Sequence, residues 1–288
     1  MNGSLINGCD VNAMASQDGL DRLFFELASE SRLGILQGLR TERLRMQELA
    51  RKLNMTDTET CRQLQRLSEA RLIQKQPDAR YKLTAYAMLV LDTSSPLGFI
   101  SRFREYFLEH DVSCLPYEFV NRLGELSAGE LSGEVMSTLN RARKMVYEAE
   151  EYLWVIAEQV DSSHTQITNE KVSEGLKLKF IMPKDFAQTV KVGPEMLLCP
   201  HCRKQMIEDE SKLKGRVCGF CERRQLERIC LSLLINEKES CVLLRRLNGE
   251  MDYVGFFGAE EKFLKWARDL FMYYWERAER WYPNLQVK

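Results

Sequence analysis

Apolar positions recur at helical spacing in a series of short blocks over residues 20–72, and Ser, Asn and Thr separate the blocks. Leu20, Leu23, Phe24 and Leu27 predict a first helix over 20–28, with Ser16 and Asp18 near its start. Ser29 or Ser31 would cap a second over 32–40 that turns Leu33, Leu36 and Leu39 inward. Leu49, Ala50 and Leu53 share one face of a third, and Asn54, Met55 and Thr56 form a break that ends it and caps the next. Over 57–72, Cys61, Leu64, Leu67 and Ala70 recur at spacings of three, which turns Thr58, Glu59, Arg62, Gln63 and Arg66 outward. Two short alternating runs, 73–75 and 81–83, then flank a turn-rich tip over 76–80 that carries Pro77 and Asp78.

Helix, turn, outward-facing polar helix and β-ribbon, in that order, is the pattern of a winged helix-turn-helix, a module that places its second helix in the major groove of double-stranded DNA. The residue types fit that use. Arg62, Gln63 and Arg66 with Thr56, Thr58 and Glu59 would address base edges and the adjoining backbone, while Lys75, Arg80 and Lys82 in the wing would touch phosphate. Residues 18–84 hold 13 Lys and Arg against 10 Asp and Glu, a surplus of 3, so binding has to rest on a local patch. Together with Ser31 to Leu36 ahead of it and Tyr81 to Thr84 at its end, this stretch resembles the ArsR-like transcriptional regulators over about the first 90 residues.

Beyond the wing, residues 85–91 are apolar enough to be buried, and Ser94, Ser95 and Pro96 predict a break. Two readings stand for 85–91, a contact with a second copy of the chain in a homodimer, or a helix that packs between domains. A helix over 97–108, another starting at Pro116, a loop over 127–133 and a long helix over 134–151 follow. Leu153 to Ala157 then reads as a buried strand, and residues 176–181 alternate as a second, after a short helix capped by Thr168 and ended by Gly175. Strands over 229–235 and 240–247 and a closing helix over 260–281 complete the pattern, the last with an aromatic stripe best read as core. Helix, strand, helix, strand predicts an α/β domain with part of its sheet parallel. The expected organisation is a disordered arm over 1–17, a winged helix-turn-helix over 18–92, an α/β domain over 97–194 and 228–288, and an insertion over 195–227, an α+β to α/β chain as a whole.

The second region resembles the middle and C-terminal part of archaeal methanogenesis-type regulators, which couple a winged helix to an α/β sensor domain. The matching residues are Tyr106 and Phe107 with His110, Asp111 and Pro116; Tyr152 to Trp154; the strand between Gly175 and Pro183; Gly249 with Asp252 and Tyr253; and Phe263, Trp266, Asp269 to Phe271 and Tyr273 to Trp275. The resemblance implies a transcription factor that responds to a small-molecule or redox effector.

The insertion departs from that pattern. Cys199-Pro200-His201-Cys202 and Cys218-Gly219-Phe220-Cys221 are two Cys-x-x-Cys pairs separated by residues 203–217, the spacing of a zinc ribbon, in which each tight turn aims two thiolates at one tetrahedral metal. One zinc per chain on Cys199, Cys202, Cys218 and Cys221 is expected, with Arg203, Lys204, Arg223 and Arg224 offsetting its charge. Three uses stand beside each other: a structural staple, a redox or metal switch, and a rubredoxin-like iron site with the same ligands. Cys9, Cys61 and Cys114 carry little weight, and Cys61 reads as a small core residue.

Composition narrows the classes further. A chain of 288 residues with net charge −1 is not a polyanion-coating protein, and no apolar run approaches the roughly 18 residues that span a bilayer. The opening residues lack the basic start and apolar stretch of a signal peptide, and cysteines in metal-ligand spacing suit a reducing compartment, so a cytoplasmic protein is expected. His110, His164 and His201 stand in no His-Glu-x-x-His pattern and beside no evident nucleophile, and no enzyme is expected. The competing class is a non-catalytic scaffold that binds proteins of the transcription machinery through the winged helix and the ribbon.

Overall fold

A computed structural model describes residues 11–158, 162–185, 199–202 and 219–281, and the chain divides into two compact units at Ser94 and Ser95. The first unit is a winged helix-turn-helix. Its elements are α1 (Val11–Leu27), α2 (Glu30–Thr41), β1 (Leu44–Arg45), α3 (Met46–Lys52), α4 (Asp57–Glu69), β2 (Ile73–Lys75), β3 (Arg80–Leu83) and the start of α5 (Ala85–Arg102). Ser29 is the cap of α2, its hydroxyl accepting from the Arg32 amide at 3.4 Å. The core gathers Ile35, Leu36 and Leu39 of α2, Leu49 of α3, Leu64 and Leu67 of α4, and Leu72, Ile73, Leu83 and Ala87 around the wing. Each fully buried Leu contributes on the order of 2 kcal/mol over an exposed one, so Leu67→Ala alone would take about 2–5 kcal/mol from so small a unit.

Two boundaries differ from the sequence expectation. α1 begins at Val11, inside the stretch expected to be a disordered arm, because Ala13, Met14 and Ala15 favour helix and extend the one anchored by Leu23 and Leu27. Ser16 and Asp18 therefore lie within it, and residues 1–10 lie outside the described residues. Nor do Ser94 to Pro96 break the chain. α5 runs through Pro96, and the hydroxyls of Thr93 and Ser94 fold back onto the carbonyls of Leu89 and Leu91 at 2.8 and 3.0 Å in the turn before it.

The second unit is built on an eight-stranded sheet in the order β11-β7-β6-β5-β8-β9-β10-β4. Its strands are β4 (Glu130–Ser132), β5 (Tyr152–Ile156), β6 (Lys177–Pro183), β7 (Cys221–Leu226), β8 (Leu231–Ile235), β9 (Ser240–Leu244), β10 (Gly255–Gly258) and β11 (Glu279–Arg280). β5, β6 and β7 are parallel, as the alternation of helix and strand predicts, and the remaining pairs are antiparallel. β4, β7, β10 and β11 were not foreseen. β11 takes residues expected in the closing helix, which ends at Arg277, and Thr168, expected as a cap, lies inside a helix over Ser162–Ser173. β4 falls in the expected loop over 127–133, and β7 takes the last residues of the expected insertion into the sheet.

Helices cover both faces. α6 (Arg104–Glu109), α7 (Tyr117–Val120) and the closing α10 (Glu261–Arg277) share one core with Ile156, Leu233, Val242 and Phe256, while α8 (Val135–Glu148) and α9 (Ser162–Ser173) lie over Leu153, Leu178 and Leu243. Every residue of β9 is buried for that reason, Val242 and Leu244 on one side and Cys241 and Leu243 on the other. The aromatic stripe of α10 is core, as expected. Phe263, Trp266 and Phe271 are fully buried, and the Trp266 indole donates to the Phe119 carbonyl at 3.1 Å. Gly258 is required there, since a Cβ would sit 2.4 Å from the Phe263 ring.

Candidate functional site

The helix-turn-helix is locked by backbone geometry. Leu53 closes α3 by donating to Leu49, Asn54 takes the left-handed conformation at φ 52°, and the Met55 amide returns to Ala50 at 2.9 Å. The Thr56 hydroxyl accepts from the Glu59 amide at 3.2 Å and caps α4. The buried stripe of α4 is Thr60, Gln63, Leu64 and Leu67. This corrects the expected inward set. A strict spacing of three drifts around a helix of 3.6 residues per turn, so Cys61 comes out on the exposed side and Gln63 on the buried one.

The expected base-reading residues consequently separate into several groups. Thr58 and Arg62 are exposed on α4. Thr56 is spent on the cap, and Glu59 accepts a hydrogen bond from the Ser31 hydroxyl of α2 at 3.3 Å. Gln63 accepts from the Arg32 guanidinium at 3.3 Å inside the unit. Arg66 reaches back to α1, where it pairs with Glu26 at 3.0 Å and lies over the Phe25 ring. Glu26 also holds Arg32 at 2.8 Å, so one carboxylate of α1 ties together α2 and α4. Helical periodicity in α4 cannot report this, because the partners come from α1.

The wing is a three-stranded sheet in the order β1-β3-β2. Arg45 lies directly opposite Arg80, and Lys82 follows Arg80 two residues on, so all three stand on one face. The other face carries Leu44, Ile73, Tyr81 and Leu83 into the core. Lys75, opposite Tyr81, belongs to that second face, with its ammonium 6.0 Å from the Tyr81 ring centre. Arg80 also donates to the Arg43 carbonyl at 3.0 Å. Arg43 and Arg45 were missed from sequence because a strand of two residues leaves no alternating signal.

The described part of the cysteine module lies against the α8 and α9 side of the sheet. Cys199, Cys202 and Cys221 are buried in one cluster with Val146, Leu153, Val172 and Leu178. The Cys202 amide donates to the Cys199 sulfur at 3.4 Å, and the Arg223 guanidinium donates to the Cys221 sulfur at 2.7 Å, contacts suited to thiolates. His201 of the first knuckle stacks on Phe220 of the second, with ring centres 4.7 Å apart. The fourth expected ligand, Cys218, lies outside the described residues, among which no group of three or more Cys, His, Asp and Glu is arranged around a metal position.

A cleft of about 520 Å³ opens where the parallel strands β5, β6 and β7 end, lined by Glu158, Pro183, Glu227, Arg228, Cys230 and Arg245. The carboxyl ends of parallel strands are the usual ligand crevice of open α/β sheets. Arg245 pairs with Glu158 across it. His110 is structural. It stacks on Tyr106 with ring centres 3.7 Å apart and sits 3.2 Å from Asp252, closing α6.

The first unit is thus a winged helix-turn-helix and the second a mixed α/β domain. No protein-family model matches the chain, and no curated protein does. Among solved structures, TrmBL2, described as an archaeal chromatin protein, is 14% identical with a TM-score of 0.39, over 91% of this chain and 99% of that one. NolR from Sinorhizobium fredii is 20% identical with a TM-score of 0.30, over 32% of this chain and 96% of that one. NucT from Helicobacter pylori is 13% identical with a TM-score of 0.36, over 53% and 98%. These TM-scores stay below 0.5, so the functional reading rests on the residues of this chain. No helix among the described residues is long and apolar enough to cross a membrane.

Proposed function

We propose that the chain is a DNA-binding transcriptional regulator, working as a homodimer, whose α/β unit receives a metabolite, metal or redox signal. The observation that carries this reading is the wing face of Arg45, Arg80 and Lys82 beside a capped, outward-facing α4 that exposes Thr58 and Arg62. These three cations outnumber Asp78, which lies 3.6 Å from Arg80, and phosphate is the ligand that such a net-positive face fits. Arg62, at the second turn of α4, is the side chain for base readout.

Dimerisation is supported by the apolar surface of the first unit. Phe24 and Phe25 of α1 and Met88 and Leu89 of α5 are exposed, Leu89 by 66%, apolar surface that a second copy would cover. The cysteine module supports a structural zinc. Cys199, Cys202 and Cys221 are buried in the same cluster, and the Arg223 guanidinium donates to the Cys221 sulfur, a contact that suits a metal-bound thiolate. The effector would enter the cleft at the strand ends.

The test is fluorescence anisotropy on a selected operator and on random duplex, each over a range of salt. Arg62→Ala should weaken the operator by about 1–3 kcal/mol and random duplex much less. Equal losses on both would remove Arg62 from base readout. Binding that ignores salt would favour the scaffold reading, in which the wing meets protein.

A further inference from the structure

Cys114 lies in the loop between α6 and α7, and Cys230 lies just ahead of β8, far away in sequence but adjacent in the fold. The Cys114 thiol donates to the Cys230 carbonyl at 3.6 Å, which sets the two cysteines side by side. Tyr274 of α10 holds the pair in place, its hydroxyl donating to the Cys114 carbonyl at 2.6 Å. Both cysteines are half-buried, so the loop is fixed without being sealed. Cys230 opens into the cleft at the strand ends, together with Asp111, Arg228, Arg245 and Arg246. The same cleft and the same loop therefore present one thiol to solvent-borne reagents and keep a second behind it.

We infer that Cys114 and Cys230 form an oxidisable dithiol, in which a hydroperoxide entering the cleft attacks Cys230 and Cys114 resolves the product into a disulfide. The roles follow from the contacts. Cys114 and Tyr274, the polar side chains beside it, hold the Cys230 thiol below its ordinary range against the opposing effect of burial. Cys114, beside Cys230 and half-buried, is pushed well above its own. Cys230 lines the cleft where Cys114 does not, and it is the thiol of the two that yields its proton more readily, which makes it the nucleophile.

In the first step the Cys230 sulfur forms a bond to the distal peroxide oxygen while the O–O bond breaks. Sulfur is oxidised by two electrons to the sulfenic acid, and the peroxide leaves as an alcohol, or water for hydrogen peroxide, after taking up a proton. In the second step the Cys114 sulfur attacks Cys230. The S–S bond forms, the S–O bond breaks, and hydroxide leaves as water with the Cys114 proton. The disulfide would join the loop after α6 to the sheet at the mouth of the cleft. This site is separate from the knuckle cysteines and does not depend on the DNA-binding reading.

The experiment exposes the full chain, reduced and kept under argon, to limiting hydrogen peroxide, blocks the remaining thiols by alkylation and reads each cysteine by peptide mass spectrometry. Cys114 and Cys230 should be lost together as one linked peptide pair, ahead of exposed Cys61 and buried Cys241. In Cys114→Ser, Cys230 should persist as a sulfenic acid captured by dimedone; in Cys230→Ser, Cys114 should stay reduced. The inference is overturned if Cys61 oxidises first, or if Cys114 links to another cysteine. The linkage in the unmutated chain decides the matter even where a serine variant fails to fold.

Discussion

Arg45 of β1 and Arg80 of β3 face each other directly across the antiparallel wing sheet, two cations with their Cβ atoms in cross-strand register. Like charges at such positions destabilise a sheet by some tenths of a kcal/mol. Arg45→Ala should therefore leave the unfolding midpoint unchanged or slightly raised, and Arg80→Ala, which also loses the Asp78 pair and the bond to the Arg43 carbonyl, should lower it slightly. The same changes should lower DNA affinity on every sequence and reduce the slope of log affinity against log salt by about one each. Titrations at several salt concentrations, paired with thermal melts, read both effects. Lys75→Ala, on the opposite face, serves as the control and should leave the slope close to that of the unmutated chain.

Arg32 is the buried counterpart of those exposed cations. It pairs with Glu26, hydrogen bonds to Gln63 and to the Phe25 and Glu26 carbonyls, and is 6% exposed. Arg32→Ala leaves Glu26 to Arg66 but strips Gln63 and two α1 carbonyls of their donor, and should cost about 1–3 kcal/mol in denaturant unfolding of the first unit. Lys52→Ala, which removes an exposed pair with Glu42, should cost below about 1 kcal/mol. Comparable costs for the two would show that the Glu26 cluster is solvated.

All four tryptophans, Trp154, Trp266, Trp275 and Trp281, belong to the second unit, and Trp281 packs against the buried cysteine cluster. Their fluorescence reports on that unit alone. Metal analysis of the reduced chain should find about one zinc, and chelation should lower the melting temperature read by tryptophan emission. A chain purified without metal that melts at the same temperature would exclude a structural zinc.

Asp269 gives the second unit a marginal acid sensitivity. Burial opposes its ionisation, yet hydrogen bonds from Lys265 at 2.6 Å and Arg122 at 2.8 Å outweigh it and hold the carboxyl below its ordinary value of 3.8. A carboxyl depressed in the folded state stabilises fully above the unfolded value, and the contribution is lost as pH falls through the folded one. Since the side chain is 35% exposed, the effect should stay below about 1 kcal/mol. Stability of Asp269→Asn should be flatter than that of the unmutated chain below pH 3.8; parallel curves would place the acid sensitivity elsewhere.

The winged helix was legible because its determinants are local. A helical run of Leu, an Asn in the left-handed turn, a Thr cap and two alternating runs around Pro77 and Asp78 specify α2 to β3 with little help from elsewhere. Gln63 was misplaced, and the engagement of the still 40% exposed Arg66 was missed, for a different reason. Both look solvent-facing within α4, and both are claimed by residues about 30 to 40 positions away, Arg32 and Glu26, whose approach no periodicity in α4 records. β7 shows the same limit. Cys221 to Leu226 reads as polar loop, with charges at Glu222, Arg223 and Arg224, and becomes a strand because β6 offers it a free edge.

The amino-acid order by itself determined the helices of the first unit, the wing and the buried aromatic stripe, since each depends on spacing within a few turns of backbone. Tertiary structure alone decided which cations remain exposed, how the sheet is ordered, and that Cys114 meets Cys230. Those outcomes depend on which distant groups come within hydrogen-bonding distance, and sequence separation carries no information about that distance once the chain has folded.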